Sequence, residues 1–370
     1  MNDIKYVTIF PECESVHLKK DVGMLPYSLG EYCGYDFSIV CYDNPSFKAE
    51  ENNKFHIVTI PKKLGDVSDF AGYIIKKAKE IDILNLYHIT SRRNLLWIIL
   101  YKLFNPKGIV HLKLDADYRM VDMLNFNSKS LKSNLKMKIL REKVDLYTVE
   151  SQAMKTILEQ EWRLNIKVIP NGIFREGEIN PARVDEKENI FLTVGRLGTE
   201  QKATEDLLSA FEKIKNKTDW KLVLAGSAEQ SFLGYIDDYY NRNPELRERV
   251  IFTGNISDTE ELTNLYKKAK IFVLPSKWES FALVLMEALE CGDYLIVSDQ
   301  VPSVGDIGKN GQYADIVRFG DVNQLADSML KATNIKLRNE EMSEMYKWIH
   351  ENFTWKPIVK KLNQSIKEII

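Results

Sequence analysis

Residues 271–299 read IFVLPSKWESFALVLMEALECGDYLIVSD, two apolar runs joined by helix-forming residues. The first run, Ile271 to Leu274, is stopped by Pro275 and Ser276, and a short run without a polar face predicts a strand buried on both sides. Ser280 is a good N-cap and the residues beyond it favour helix, so the spacing predicts a helix that begins near Phe281 and ends at Gly292. Tyr294 to Val297 predicts the next buried strand. Strand, helix, strand in that order requires a crossover, and hence a parallel sheet.

Two carboxylates in this stretch call for a chemical reason. Glu287 falls in a predicted helix that is apolar nearly all round, where a carboxylate without partners is too costly to keep. Glu279 falls in the loop at the carboxyl end of a buried strand, just before a helix start. Ligands of open parallel sheets sit at that edge, and free N–H groups at a helix start favour an anion. Carboxylates accept hydrogen bonds from sugar hydroxyls and amides donate them to phosphate, so a nucleotide-sugar fits both. Equally open from these residues alone is a Glu287 paired with a buried Arg or Lys and a solvated Glu279.

The chain has 370 residues, room for two ordinary domains. Its net charge of −2 argues against a general nucleic-acid binder, which needs a basic excess. Cys13, Cys33, Cys41 and Cys291 show neither C-x-x-C nor zinc spacing and read as reduced thiols of a cytoplasmic protein. His17, His56, His88, His111 and His350 form no ligand pattern, so no metal site is expected. MNDIKYVTIF leads straight into a strand and does not read as a leader. The longest apolar run, residues 95–104, is about half of the ~20 residues that a spanning helix needs.

Strand and helix patterns alternate along both halves, which predicts two doubly wound α/β domains. The first is expected over residues 1–172 and the second over 173–354, with a polar linker at 175–189. In the first, a strand at 6–10 leads to a charged loop with His17, Lys19, Lys20 and Asp21, where Gly23 can lie close to a ligand ahead of a helix at 25–32. Strands at 83–89 and 108–114 end at His88 and at Asp115-Ala116-Asp117. Residues 126–144 carry Lys129, Lys132, Lys136, Lys138, Arg141 and Lys143 around a stripe of Leu131, Leu135, Ile139 and Leu140. Such a basic amphipathic helix can lie on an anionic membrane surface, giving peripheral contact at the inner membrane face. The favoured reading packs the stripe on the core and solvates the basic face.

Several blocks together carry a family likeness: VIPNGI (168–173), FLTVGRL (191–197), QKATEDLLSAF (201–211), KLVLAGS (221–227), VIFTGNIS (250–257) and ELTNLYKKAKIFVLPS (261–276). With PSKWESFALVLMEAL, whose Glu279 and Glu287 match a Glu-x7-Glu signature, their order and spacing resemble retaining glycosyltransferases of family 4. The resemblance implies the GT-B fold: two Rossmann-like domains facing each other across a cleft, with the final helix, 355–370, crossing back to the N-terminal domain. It also implies a nucleotide-sugar donor, with a UDP-sugar the foremost candidate, a glycan or lipid-linked acceptor, and no cofactor. In such chains basic residues replace the metal, so D-A-D is not read as a metal motif.

By the same resemblance, Arg196 and Lys202 stabilise the leaving diphosphate beside Gly195, Ser280 and Phe281. Glu279 takes hydroxyls of the transferred sugar and Glu287 those of the ribose. Gly226, Asn255 and Ile256 hold the base, largely through backbone. Asp115 stands where relatives often have a histidine near the reacting sugar; an Asp that caps the next turn is the alternative. Ala203 and Ala282 stand where relatives often have glycine, and Gly23 is alone where they carry a glycine pair. Other outcomes on this fold are a nucleotide-sugar epimerase or hydrolase and a non-catalytic partner subunit.

Overall fold

The computed structural model describes residues 4–47, 49–88, 92–123, 131–175, 177 and 179–370. The chain forms two compact units, Met1–Phe174 with Phe353–Ile370, and Arg175–Asn352.

In the first unit the strands are β1 (Lys5–Ile9), β2 (Asp36–Tyr42), β3 (Ile57–Ile60), β4 (Ile83–Tyr87), β5 (Ile109–Lys113), β6 (Leu146–Val149) and β7 (Ile166–Val168). They pair in parallel in the order β3-β2-β1-β4-β5-β6-β7. The helices are α1 (Ser15–Leu18), α2 (Asp21–Cys33), α3 (Ala49–Lys54), α4 (Asp66–Lys77), α5 (Arg92–Phe104), α6 (Tyr118–Met123), α7 (Leu131–Lys143) and α8 (Gln152–Trp162). One sheet face packs on α4, α5, α7 and α8, the other on α2 and the C-terminal helix, Trp355–Lys367. That last helix buries Trp355, Ile358, Val359, Leu362 and Ile366. At about 1.5–3 kcal/mol for each large side chain, this is gross stabilisation on the order of 10 kcal/mol.

Strands buried on both faces leave their polar side chains to satisfy one another. Thr8 donates to Asn85 at 3.0 Å, and His111 joins Tyr6, Asn85 and Thr148 at 2.7, 3.3 and 2.8 Å. The ladder crosses β1, β4, β5 and β6 inside the core. Burial pushes the His111 imidazole down to about 3, so it stays neutral.

Three expectations for this unit change. The strand predicted at 83–89 ends at Tyr87, because His88 takes a left-handed backbone at φ 63°; residues 89–91 lie outside the described ones. The helix predicted at 25–32 begins at Asp21, which puts Gly23 in its first turn rather than in a loop. A Cβ at Gly23 would stand 2.3 Å from the Leu18 carbonyl oxygen, so contact with α1 already demands the glycine. On the basic helix Leu135 is 59% exposed, and among the side chains described Met137 and Leu140 are buried, followed by Val144; the side chains of Leu131 and Lys132 lie outside the described ones. The predicted start of that helix at 126–130, Lys129 included, lies outside the described residues.

The second unit has β8 (Ile190–Val194), β9 (Lys221–Ala225), β10 (Val250–Gly254), β11 (Ile271–Leu274), β12 (Tyr294–Ser298) and β13 (Ala314–Val317). All pairings are parallel and the order is β10-β9-β8-β11-β12-β13. Its helices are α9 (Thr204–Ile214), α10 (Leu233–Arg242), α11 (Thr259–Lys268), α12 (Leu283–Glu290), α13 (Val304–Ile307), α14 (Val322–Ala332) and α15 (Asn339–Asn352). Strand order reverses between β8 and β11. In a doubly wound sheet the carboxyl ends flanking such a reversal form the ligand crevice. Among the described residues of both units no helix is long and apolar enough to cross a membrane.

Candidate functional site

The loops that leave β8 and β11 at this reversal are stitched together. Lys277 N donates to the Gln201 carbonyl at 2.8 Å, and Gln201 Nε2 to the Trp278 carbonyl at 3.1 Å. Their charged side chains meet as well: Lys202 Nζ donates to Glu279 Oε1 at 2.5 Å. Ser276 Oγ donates to the same oxygen at 2.8 Å, and Gln201 Nε2 to Oε2 at 3.3 Å. Glu279 is therefore not the solvated residue of the alternative reading. Both members of the pair keep some access to water, with 17% and 11% of their side chains exposed. Arg196 is exposed.

Backbone comes close here. Gly195 N donates to the Ala225 carbonyl at 2.9 Å, and a Cβ at Gly226 would stand 1.8 Å from the Gly195 oxygen, with Gly226 itself at φ 139°. Only glycine fits at Gly226. Gly226 N donates in turn to Gly254, and Asn255 and Ile256 follow at the exit of edge strand β10, exposed and half-buried respectively. The structure thus groups Gly195, Gly226, Lys202 and Glu279.

The expected helix start moves. Ser280 is not the N-cap and Phe281 is not helical; α12 begins at Leu283, capped by Ala282 at φ 57°, ψ 70°. Phe281 is buried, and its carbonyl accepts from Ser303 Oγ. Ala203 caps α9 in the same left-handed conformation, at φ 45°, ψ 48°. Ala282 thus stands outside the helix, where helix propensity has no bearing on it. Left-handed backbone strains any residue with a Cβ, which is why glycine suits both positions.

Glu287 lies partly buried on α12, and the partner that its position demands is Tyr266 of α11, whose hydroxyl donates to Oε2 at 2.8 Å. Burial raises the Glu287 carboxyl above its ordinary range, while Tyr266 and the nearby Arg175 charge pull it back. The carboxylate that pairs with a buried guanidinium is Glu290, one turn on and 1% exposed. Arg175, expected in the polar linker, donates to it from Nε at 3.0 Å.

In the first unit Asp115 lies two residues beyond β5 with a left-handed backbone, φ 46°, its carboxylate 3.8 Å from His88 Nδ1. Asp117 accepts from Arg119 and from Met120 N at 3.2 Å, so it caps the following turn. Beneath them lies a charged cluster that neither motif nor composition announced. Lys113 pairs with Glu150 and stands 3.5 Å from Asp21, with Lys113 0% and Glu150 1% exposed. Glu150 also accepts from Ala116 N at 3.3 Å. Burial pushes Glu150 up to about 7 and raises Asp21. Burial opposes the Lys113 charge, but Glu150, Asp21 and Asp115 outweigh it and hold the ammonium on. A lysine inside the apolar strand IVHLK was the available signal. Among the described residues no group of three or more His, Cys, Asp or Glu side chains is placed to hold a metal ion.

Residues 174–347, almost all of the second unit, match the family model described as Glycosyl transferases group 1. The chain is similar to an uncharacterized glycosyltransferase of Methanocaldococcus jannaschii, 32% identical over 203 residues, which cover 50% of each chain. It therefore spans about half the length of that relative. It is also similar to the Escherichia coli UDP-Gal:alpha-D-GlcNAc-diphosphoundecaprenol alpha-1,3-galactosyltransferase, 21% identical over 335 residues and 82% of each chain. Among solved structures, the apo lipopolysaccharide outer core galactosyltransferase WaaB superposes with TM-score 0.75 at 17% identity, over 99% of this chain and 100% of that one. The two parallel-sheet, Rossmann-like domains thus share the GT-B fold with that structure.

Proposed function

We propose that this chain, whose residues 174–347 carry a glycosyl transferases group 1 domain, is a retaining glycosyltransferase. It moves a hexose-type sugar from a nucleoside diphosphate, UDP first among the candidates, to a glycan or lipid-linked acceptor. The observation that carries the reading is the Lys202–Glu279 pair at the strand reversal, beside the close approach of Gly195 and Gly226. An ammonium has three donors. One bond to Glu279 leaves two for a diphosphate, whose charge grows as it leaves, and the exposed Arg196 supplies a second cation.

Glu279 accepts from hydroxyls of the transferred sugar and Glu287 from the ribose. Asn255 and Ile256 meet the base through backbone, and the amides of Ser280 and Phe281 face the phosphates. A glycosidase-like double displacement needs two carboxylates at the anomeric carbon. Both glutamates are assigned to hydroxyls, so the reaction is a same-face substitution in which the departing phosphate draws the acceptor proton. Asp115, with His88, belongs to the acceptor side. Arg196 and Lys202 supply the charge that a divalent ion would otherwise bring.

The test is a thermal-shift panel of UDP-, GDP-, ADP- and TDP-sugars, because a ligand of the native state raises its melting point. At least one UDP-sugar is expected to shift it, with EDTA present or absent. The product anomer, read by proton NMR, is expected to match the donor. A panel without any shift, or an inverted product, would overturn the reading.

A further inference from the structure

We propose that Tyr266 and Arg175 are positioning residues that set the carboxylate of Glu287 for the ribose. The inference rests on the donor-binding role of Glu287 proposed above. Glu287 and Glu290 stand three positions apart on α12, which puts them on one face, where like charges repel. Glu290 is 1% exposed and so needs full compensation. Arg175 provides it, with Nε at 3.0 Å and Nη2 at 2.9 Å from Oε2, and His350 Nε2 lies 2.9 Å from Oε1.

The third nitrogen of the guanidinium, Nη1, donates to Thr263 Oγ1 on α11 at 3.0 Å. Tyr266, three residues beyond Thr263 on that helix, donates to Glu287 Oε2 at 2.8 Å. Two rungs thus bind α11 to α12: Thr263–Arg175–Glu290 and Tyr266–Glu287. Each rung has its own task. Arg175 cancels the Glu290 charge that would otherwise disfavour an ionised Glu287. Tyr266 occupies one oxygen of Glu287 and fixes its rotamer, which leaves Oε1, without a hydrogen-bond partner among the described residues, to accept from a ribose hydroxyl. Burial of Tyr266 raises its hydroxyl far above the ordinary range, so it remains a donor at any working pH.

Calorimetric titration of the full chain with UDP, GDP and ADP, and with the 2′-deoxy and 3′-deoxy form of whichever binds, tests this. The native chain is expected to prefer the ribose form about tenfold or more, and Glu287→Gln to abolish that preference. Tyr266→Phe is expected to weaken the ribose form about tenfold while changing the deoxy form less than twofold, so the preference falls towards one. Arg175→Lys, which keeps the charge but loses the forked contact, falls between the two. Equal weakening of both forms would mark a merely structural role and overturn the inference, as would an unchanged preference in Tyr266→Phe. A native chain that binds none of the three, or a Glu287→Gln that keeps the preference, would overturn the underlying reading itself.

Discussion

Each sheet carries a lysine–glutamate pair at its carboxyl edge, and the two pairs differ in what surrounds them. Lys113–Glu150 is sealed, with 0% and 1% of its side chains exposed; Lys202–Glu279 keeps 17% and 11%. The first sits at the ends of β5 and β6, away from the reversal of strand order between β1 and β4. The second joins the two loops that flank the reversal between β8 and β11. Water cannot replace either partner of the sealed pair, whose oxygens also hold the Ala116 amide. The open pair, on the function proposed above, can exchange a partner for a ligand. A charge pair at the right edge of the right fold is thus not yet a binding site; access and place in the strand order decide.

The largest effect expected from this contrast is on stability in the first unit. Lys113→Met leaves Glu150 and Asp21 buried beside an apolar side chain and should cost about 3–5 kcal/mol, read as a fall in urea midpoint. Replacing both members, Lys113→Met with Glu150→Met, should recover much of it, since an apolar pair needs no compensation. Lys202→Met should cost less than Lys113→Met, since Lys202 and Glu279 keep 17% and 11% of their side chains exposed and water can reach the carboxylate left behind. Its loss appears in turnover instead, about 10²–10³-fold in sugar transfer, the scale of one removed transition-state contact. Equal destabilisation by the two substitutions would erase the distinction.

The same contrast explains what the chain made legible. Both sheets and their alternation with helices follow from periodicity, because two-sided burial forces continuous apolar strands. Glu279 stands out through its loop position after such a strand, whereas Arg196 and Lys202 were singled out with the help of the family resemblance. Lys113 and Glu150 were as visible in IVHLK and LYTVE, but their partners come from residues far apart in the chain, and no local pattern encodes that pairing. Tyr266 and Arg175 were hidden for the same reason. The start of α12 was misplaced because Ser280 satisfies the N-cap preference, whereas the cap is set by the left-handed turn at Ala282 and by Ser303 holding the Phe281 carbonyl. Propensity lost there to a tertiary contact.

Sealing also makes the first pair responsive to pH. Glu150 holds its proton up to about 7, whereas in the unfolded chain it loses it near 4.5. Between those values the native state binds the extra proton, so stability falls as pH rises from about 4.5 to about 7 and is flat above. The full effect is at most about 3.5 kcal/mol. His111, lowered to about 3, acts in the opposite sense below 6.5, and Asp293, raised to about 7 by burial, acts in the same sense as Glu150. Comparing urea midpoints of the native chain and Glu150→Gln at pH 5 and pH 8 cancels both. The variant should show the weaker dependence; equal slopes would mean that the Lys113 cluster does not titrate as a sealed group.

The smallest effect concerns the backbone beneath the open pair. Ala203 follows Lys202 and Ala282 lies three residues beyond Glu279, and both are held left-handed at φ 45° and 57°. Such a conformation costs an L-residue about 1–2 kcal/mol. Glycine removes that strain but gives back about 0.4–1 kcal/mol through the freer unfolded chain. Ala203→Gly and Ala282→Gly should therefore each raise stability by about 0.5–1 kcal/mol. Inside α9 the sign reverses: Ala210→Gly should lower it by about 1 kcal/mol, since a helical alanine is unstrained. Opposite signs for the same substitution in the two loops and inside α9 would locate the strain in the loops that present Lys202 and Glu279. A loss at all three sites would instead mean that these alanines fit their turns without strain, and that the open pair rests on relaxed backbone.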